Sequence, residues 1–139
     1  MERFGPAVVY PTIQQICDVN RRMIDEFGGT FFPPNNLHNP GSLDHVLTIV
    51  ALPVFGQDLY PTLKEKAAVI THHIITGHVF MDGNKRTTVH IAWEFLRSNG
   101  VPVSLEPTIA DLAVAIATGE ANHLDLLAWF HMHQDDAVI

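Results

Sequence analysis

The stretch of this chain best equipped for chemistry is His78-Val79-Phe80-Met81-Asp82-Gly83-Asn84-Lys85-Arg86, which gathers an imidazole, a carboxylate, a glycine and two cations. An imidazole with an unperturbed pKa of about 6.5 can take a proton from a hydroxyl at neutral pH, which makes His78 a candidate base. Asp82 offers oxygen ligands to a hard cation such as Mg2+ shared with bound phosphates. Gly83 permits close approach of backbone to a ligand, and Asn84, Lys85 and Arg86 crowd the start of a helix. The first N–H groups of a helix have no partner within it and carry partial positive charge, so this end suits an anion. Two cations in that first turn oppose the macrodipole, at a cost of about a few tenths of a kcal/mol that a bound anion would remove. Phe80, between base and carboxylate, reads as an anchor pinning the loop to the core. A base, a metal carboxylate and a two-cation phosphate cradle are the parts that phosphoryl or nucleotidyl transfer requires.

Taken singly, each residue has a plainer role: His78 a surface or core histidine, Asp82-Gly83 a turn, Lys85-Arg86 a solvated pair. Their conjunction is what points to a site. The nine histidines also raise the question of a metal. However, His72 and His73 are adjacent on a helix and cannot share a face, and His131 and His133 lie on opposite sides of a final turn. No dedicated histidine metal site is expected.

The elements that must position this loop read as helices punctuated by Gly and Pro. Thr12 caps a first helix whose stripe runs Ile13, Ile16, Cys17, Asn20, Met23 or Ile24, and Phe27; Asn20 is its one polar member, and Gly28-Gly29 ends it. Residues 30–41, TFFPPNNLHNPG, have no helical period and predict an irregular surface arm or short β-hairpin. Ser42 is the expected cap of a short helix through Ala51, broken at Pro53. Pro61 or Thr62 opens a stronger helix with Leu63, Ala67, Ile70 and Ile74 inward, closed by Gly77. The segment 84–98 is apolar on nearly every face after its first turn, which predicts the most buried helix, ended at Asn99-Gly100. A helix from Pro107 or Thr108 turns Ile109, Leu112, Ala113 and Ile116 inward and stops at Gly119. A last helix from about Asn122 is expected to bury Leu124, Leu127 and Ala128. The expected fold class is an all-α bundle, with 30–41 and 101–106 as the places for a little β structure.

With 139 residues, 47% of them hydrophobic and 17% charged, the chain is sized and composed for one packed domain spanning 1–139. Eight Lys and Arg against fifteen Asp and Glu give a net charge of -7, which repels phosphate backbones and anionic lipid. No direct nucleic-acid or membrane partner is expected, and a polyphosphate must be held by a local basic site. Cys17 is the single cysteine, which excludes an intrachain disulfide and a multi-cysteine zinc or iron-sulfur framework. The N-terminus lacks a basic segment followed by an apolar one, and no apolar run approaches the roughly 18 residues of a membrane span. A cytoplasmic location is expected.

HVFMDGNKR resembles the HxFx(D/E)GNGR signature of the Fic/Doc superfamily, and specifically its death-on-curing branch, in which NKR replaces NGR. LYPTLKEKAAVITHHIITGH before the motif, TTVHIAWEFLRSNGVPV after it and DLAVAIATGE further on resemble the flanking helices of Doc toxins, over roughly residues 40–130. The resemblance implies a compact helical fold with the motif loop between two central helices, and transfer of part of a nucleotide to a protein hydroxyl. Carried over by position, it implies that His78 deprotonates the target Ser, Thr or Tyr and that Asp82 holds Mg2+. Asn84 and the backbone around Gly83 would cradle phosphate, and Arg86 would bind and neutralise its oxygens. Lys85 takes the place of the second motif glycine. That glycine goes with AMP transfer, whereas the lysine of the Doc branch goes with a reversed nucleotide and transfer of the ATP γ-phosphate. The family's phosphorylation target is a threonine of elongation factor Tu, which stops translation. The implied function is thus a Doc-type toxin kinase using ATP and Mg2+. The alternatives are protein adenylyl transfer on the same scaffold, and a catalytically inactive binding module for an antitoxin-like partner.

Two positions depart from the pattern. Fic enzymes often continue GNGRxxR, and the place of the second arginine is Val89, which weighs against AMP transfer. Some Doc relatives carry a basic residue just before the Gly-His step, where this chain has Thr76. Many Fic proteins also carry an inhibitory (S/T)xxxE(G/N) helix, and this sequence contains no such pattern. Inhibition is therefore expected from a separate antitoxin whose partly disordered segment folds onto an apolar groove of the toxin.

Overall fold

A computed structural model describes residues 7–134 of the chain, and among these it shows six helices and no sheet. Thr12 caps α1 (Ile13–Phe27) through a capping box: its Oγ1 accepts from Gln15 N at 3.1 Å while its own N–H donates to Gln15 Oε1 at 2.8 Å. Helix α2 spans Pro40–Ala51, α3 Leu63–Thr76 and α4 Asn84–Ser98. Thr62 caps α3, accepting from Glu65 N. Helices α5 (Thr108–Thr118) and α6 (His123–Met132) follow, the latter opened by an Asn122/Asp125 capping box.

Four expectations are corrected. Helix α2 starts at Pro40 rather than after Ser42, because proline at the first helical position loses no hydrogen bond and has its φ already set. Ser42 instead faces α3, its Oγ 2.6 Å from His73 Nε2. The most buried helix is α3, not α4. Residues 66–71 of α3 are all buried, whereas α4 buries a stripe of Thr87, Thr88, Ile91, Ala92, Phe95 and Leu96. The opposite face of α4 is partly solvated, where Glu94 pairs with His90 at 2.9 Å and Arg97 lies over Trp93. Lys66 takes part in that buried run: its stem is buried, and its ammonium donates to the carbonyls of Val50 and Tyr60.

In α6 the inward residues are Leu126, Trp129 and Phe130. Leu124 and Ala128 are exposed and Leu127 is half-buried. Trp129 sets that register, because its ring stacks on His133 and its Nε1 donates to Thr108 Oγ1 of α5. Finally, the 30–41 arm forms no hairpin and is not wholly superficial. Its three prolines lack the N–H donors of a ladder, and its last part pairs with the motif loop through an antiparallel Leu37–Phe80 bridge. A second isolated bridge, Val103–Gln134, places the other expected trace of β structure within 101–106.

Two apolar clusters make the core, and α3 and α4 contribute to both. One gathers Ile16, Leu43, Val46, Ile70, Ile74, Val79, Phe80 and Ile91, and so lies directly beneath the motif loop. The other gathers Ala68, Ile75, Phe95, Leu96, Ile116, Leu126 and Phe130. Among the described residues no helix is long and apolar enough to cross a membrane.

Candidate active site

The loop between α3 and α4 is held from three sides. Beneath it, Val79 and Phe80 are buried in the core, and the Asn84 side chain brackets the Phe80 backbone. Phe80 N donates to Asn84 Oδ1 at 2.9 Å, and Asn84 Nδ2 donates to Phe80 O at 2.8 Å. On one flank the arm supplies backbone pairing. His38 N and Asn39 N both donate to Val79 O, at 2.8 and 3.0 Å, and Met81 N donates to Asn36 O at 2.8 Å.

On the other flank α1 supplies Asn20, the polar residue in its apolar stripe. Its side chain is fully buried, and Nδ2 donates to Asp82 O at 2.9 Å and to Thr87 Oγ1 at 3.0 Å. Its Oδ1 accepts from Nδ2 of Asn36, another fully buried amide. Asn20, Asn36 and Thr87 thus form a satisfied internal network under the loop, which fixes the carbonyl of Asp82. A buried asparagine in an otherwise apolar stripe was the sequence signal for this support; Asn36 and Thr87 gave none.

Gly83 turns the chain into α4 at φ 78, a left-handed value, and an added Cβ would lie 2.9 Å from Ile24 Cδ1 and 3.1 Å from Asn20 Nδ2. Backbone freedom and lack of space both require glycine there. No side chain caps α4, so by helix geometry the N–H groups of Asn84, Lys85 and Arg86 have no partner within their own helix. The Asp82 carboxylate is oriented by two backbone donors, Gly83 N on Oδ1 at 2.8 Å and Thr30 N on Oδ2 at 2.9 Å. Each oxygen keeps a further lone pair, and Asp82 is exposed, so the carboxylate suits one position on a hard cation whose other ligands are water and substrate phosphate.

His78 follows the α3 cap residue Gly77 and is exposed, with φ 46. This left-handed conformation, uncommon for a residue with a Cβ, lifts its ring away from the helix axis. The ring borders a small open cleft of about 210 Å3 together with His38, Phe80, Met81 and Asn84. Lys85 and Arg86 lie on the other side of the α4 terminus, bordering a larger groove of about 460 Å3 with Phe27, Val89, Leu105, Ile109 and Val114 among its walls. Arg86 is already engaged there: Nη1 donates to Phe27 O at 3.2 Å, and its guanidinium lies 4.5 Å over the Phe27 ring. The structure therefore brings His78, Phe80 and Asn84 to one cleft and Lys85 and Arg86 to another, with Asp82 between them on the loop. Thr76 lies exposed on the last turn of α3, its Oγ1 donating to His72 O, and Val89 is half-buried on the wall of the larger groove.

Comparison with known proteins gives one matching family and named relatives. The model of a family described as Fic/DOC matches residues 10–96. A protein named Toxin Doc from Mycolicibacterium smegmatis is 34% identical over 105 residues, covering 73% of this chain and 77% of its own length. A protein named Protein kinase doc from Escherichia phage P1 is 36% identical over 107 residues, covering 77% of this chain and 81% of its own.

Proposed function

The chain belongs to the Fic/DOC family, and we propose that it is a Doc-type toxin kinase that moves the γ-phosphoryl group of ATP to a Ser or Thr hydroxyl of a translation factor. The observation that carries this reading is one helix terminus with an exposed imidazole on one side and two cations on the other. A hydroxyl entering the small cleft meets His78. His78 takes its proton as the hydroxyl oxygen attacks the γ-phosphorus, the bond to the β,γ-bridging oxygen breaks, and ADP leaves. The imidazolium then returns the proton to solvent. The N–H groups of residues 84–86 at the shared helix terminus offer fixed donors to the charge that builds on the transferred group, and Lys85 and Arg86 add positive charge from the adjoining groove. Asp82, steadied by Gly83 N and Thr30 N, is the residue to hold Mg2+, which when bound neutralises phosphate charge.

The target we propose is a threonine of elongation factor Tu, on the strength of the family resemblance. The partner we propose is an antitoxin whose apolar segment docks in the groove walled by Phe27, Val89, Leu105, Ile109 and Val114. The decisive experiment incubates the chain with ATP, Mg2+ and elongation factor Tu and measures the intact mass of the target. A phosphoryl increment absent with His78→Ala is expected. An adenylyl increment would replace the kinase reading with AMP transfer, and an unmodified target would remove elongation factor Tu from it.

A further inference from the structure

The end of α1 is electrostatically incomplete by itself. It carries no basic residue in its last turn, although the final carbonyls of a helix present partial negative charge. Helix α4 has the opposite problem, with Lys85 and Arg86 in a first turn that repels cations. The fold sets one defect against the other. The Arg86 guanidinium reaches across to the α1 terminus, where Nη1 donates to Phe27 O at 3.2 Å and the plane lies 4.5 Å over the Phe27 ring. Phe27 itself is 57% exposed, so it does little for the core.

We infer that Phe27 is a positioning residue for phosphate binding: its ring and carbonyl hold Arg86 in a fixed plane at the α4 terminus, with the remaining guanidinium donors directed to a nucleotide. The inference rests on the proposed reading of Arg86 as a phosphate ligand. A guanidinium has five N–H donors in a rigid fork, and one bond to Phe27 O leaves four for phosphate oxygens. Without the seat, a long flexible side chain must be ordered anew by each ligand, which lowers affinity.

The test titrates ATP with Mg2+ into the full chain and into variants, with thermal midpoints as a folding control. Because the ring is mostly exposed, Phe27→Ala should fold normally and bind ATP roughly two- to fivefold more weakly, the range of an exposed cation–π contact. Phe27→Leu, which keeps apolar cover without a π face, should behave like Phe27→Ala, and Phe27→Trp should restore wild-type affinity. In an Arg86→Ala background, Phe27→Ala should have no further effect, since residues acting as one unit are not additive. Equal losses in both backgrounds would show that the ring acts without Arg86, and no loss in the wild-type background would show that it does not act; either overturns the assignment. A wild-type chain that fails to bind ATP would remove the kinase reading and this inference with it, whereas wild-type binding with Phe27→Ala unchanged would remove the inference alone.

Discussion

Three histidines lie close together where α3 ends, and the structure gives them opposite fates. His72 and His73, inside the helix, are partly buried and each faces an imidazole on a neighbouring helix. His72 meets His123 of α6, and His73 meets His45 of α2, both with ring centroids 5.9 Å apart. Burial first, and these neighbouring imidazoles second, hold both pKa values below the usual 6.5. A hydrogen bond to the Ser42 backbone pulls the other way for His73 without reversing the direction. His78, one residue past the helix cap, is exposed in a left-handed conformation over an open cleft. The same side chain is thus packing material inside the helix and an exposed group on an open cleft beyond it, where we propose it acts as the base. The backbone change at Gly77-His78 decides which, since it takes the ring off the helix and turns it toward the α4 terminus.

The contrast can be broken in order of effect. His78→Ala should lower transfer rate about 10²- to 10⁴-fold, the range for loss of a general base, with an unchanged thermal midpoint. Steady-state kinetics beside a melt will test this, and a stability loss without an activity loss would place His78 with the packed pair. Asn20→Ala takes a donor from Asp82 O and from Thr87 Oγ1 and an acceptor from Asn36 Nδ2, leaving only the 3.4 Å Asn36–Asp82 O bond to hold the carbonyl, so it should destabilise the chain by about 1–3 kcal/mol. Because the same bonds fix the motif loop, denaturant unfolding should show this loss together with a fall in transfer activity. A purely structural Asn20 would lose stability alone.

Acid should act through the packed pair. Their folded-state pKa values lie below the unfolded value, so as pH falls past 6.5 the unfolded chain takes up protons first. Stability present above pH 6.5 is then lost as pH falls through the depressed folded values, and thermal midpoints measured from pH 7.5 to 5 should decline. The double substitution His72→Gln, His73→Gln should flatten that decline. The smallest effect expected is on chemistry in the same double variant: near pH 7.5 its transfer rate should stay within about twofold of wild type, because neither ring borders the cleft. A large loss would erase the distinction between the two environments.

Much of the scaffold was legible from residues alone. Thr12, Thr62 and Asn122 cap the helices they were expected to open, and Gly28, Gly77 and Gly119 close theirs, because capping is a local matter of side-chain and backbone hydrogen bonds. Burial was read less well where one face had to be chosen among several apolar ones. Leu124 and Ala128 were assigned inward in α6, but Trp129, which needs a partner for its N–H as well as cover for its ring, sets the register. The buried run of α3 includes Lys66, whose ammonium donates to the carbonyls of Val50, in the last turn of α2, and Tyr60.

For the proposed site, the sequence by itself determined the candidate groups and their order along one loop: His78, Asp82, Gly83, Asn84, Lys85 and Arg86, with Phe80 as the apolar residue between. It also determined the conflict of two cations in the first turn of α4. Only the tertiary structure decided how that conflict is relieved, because the negative end of α1 belongs to a different part of the chain and reaches Arg86 across 59 residues. Only it decided that the carbonyl of Asp82 rests on Asn20 and Asn36, and that Thr30 N–H turns the Asp82 carboxylate. Residue type fixes what a group can do, and short-range bonding fixes the helix that carries it. The partners that orient it come from distant segments, which packing alone brings within hydrogen-bond reach.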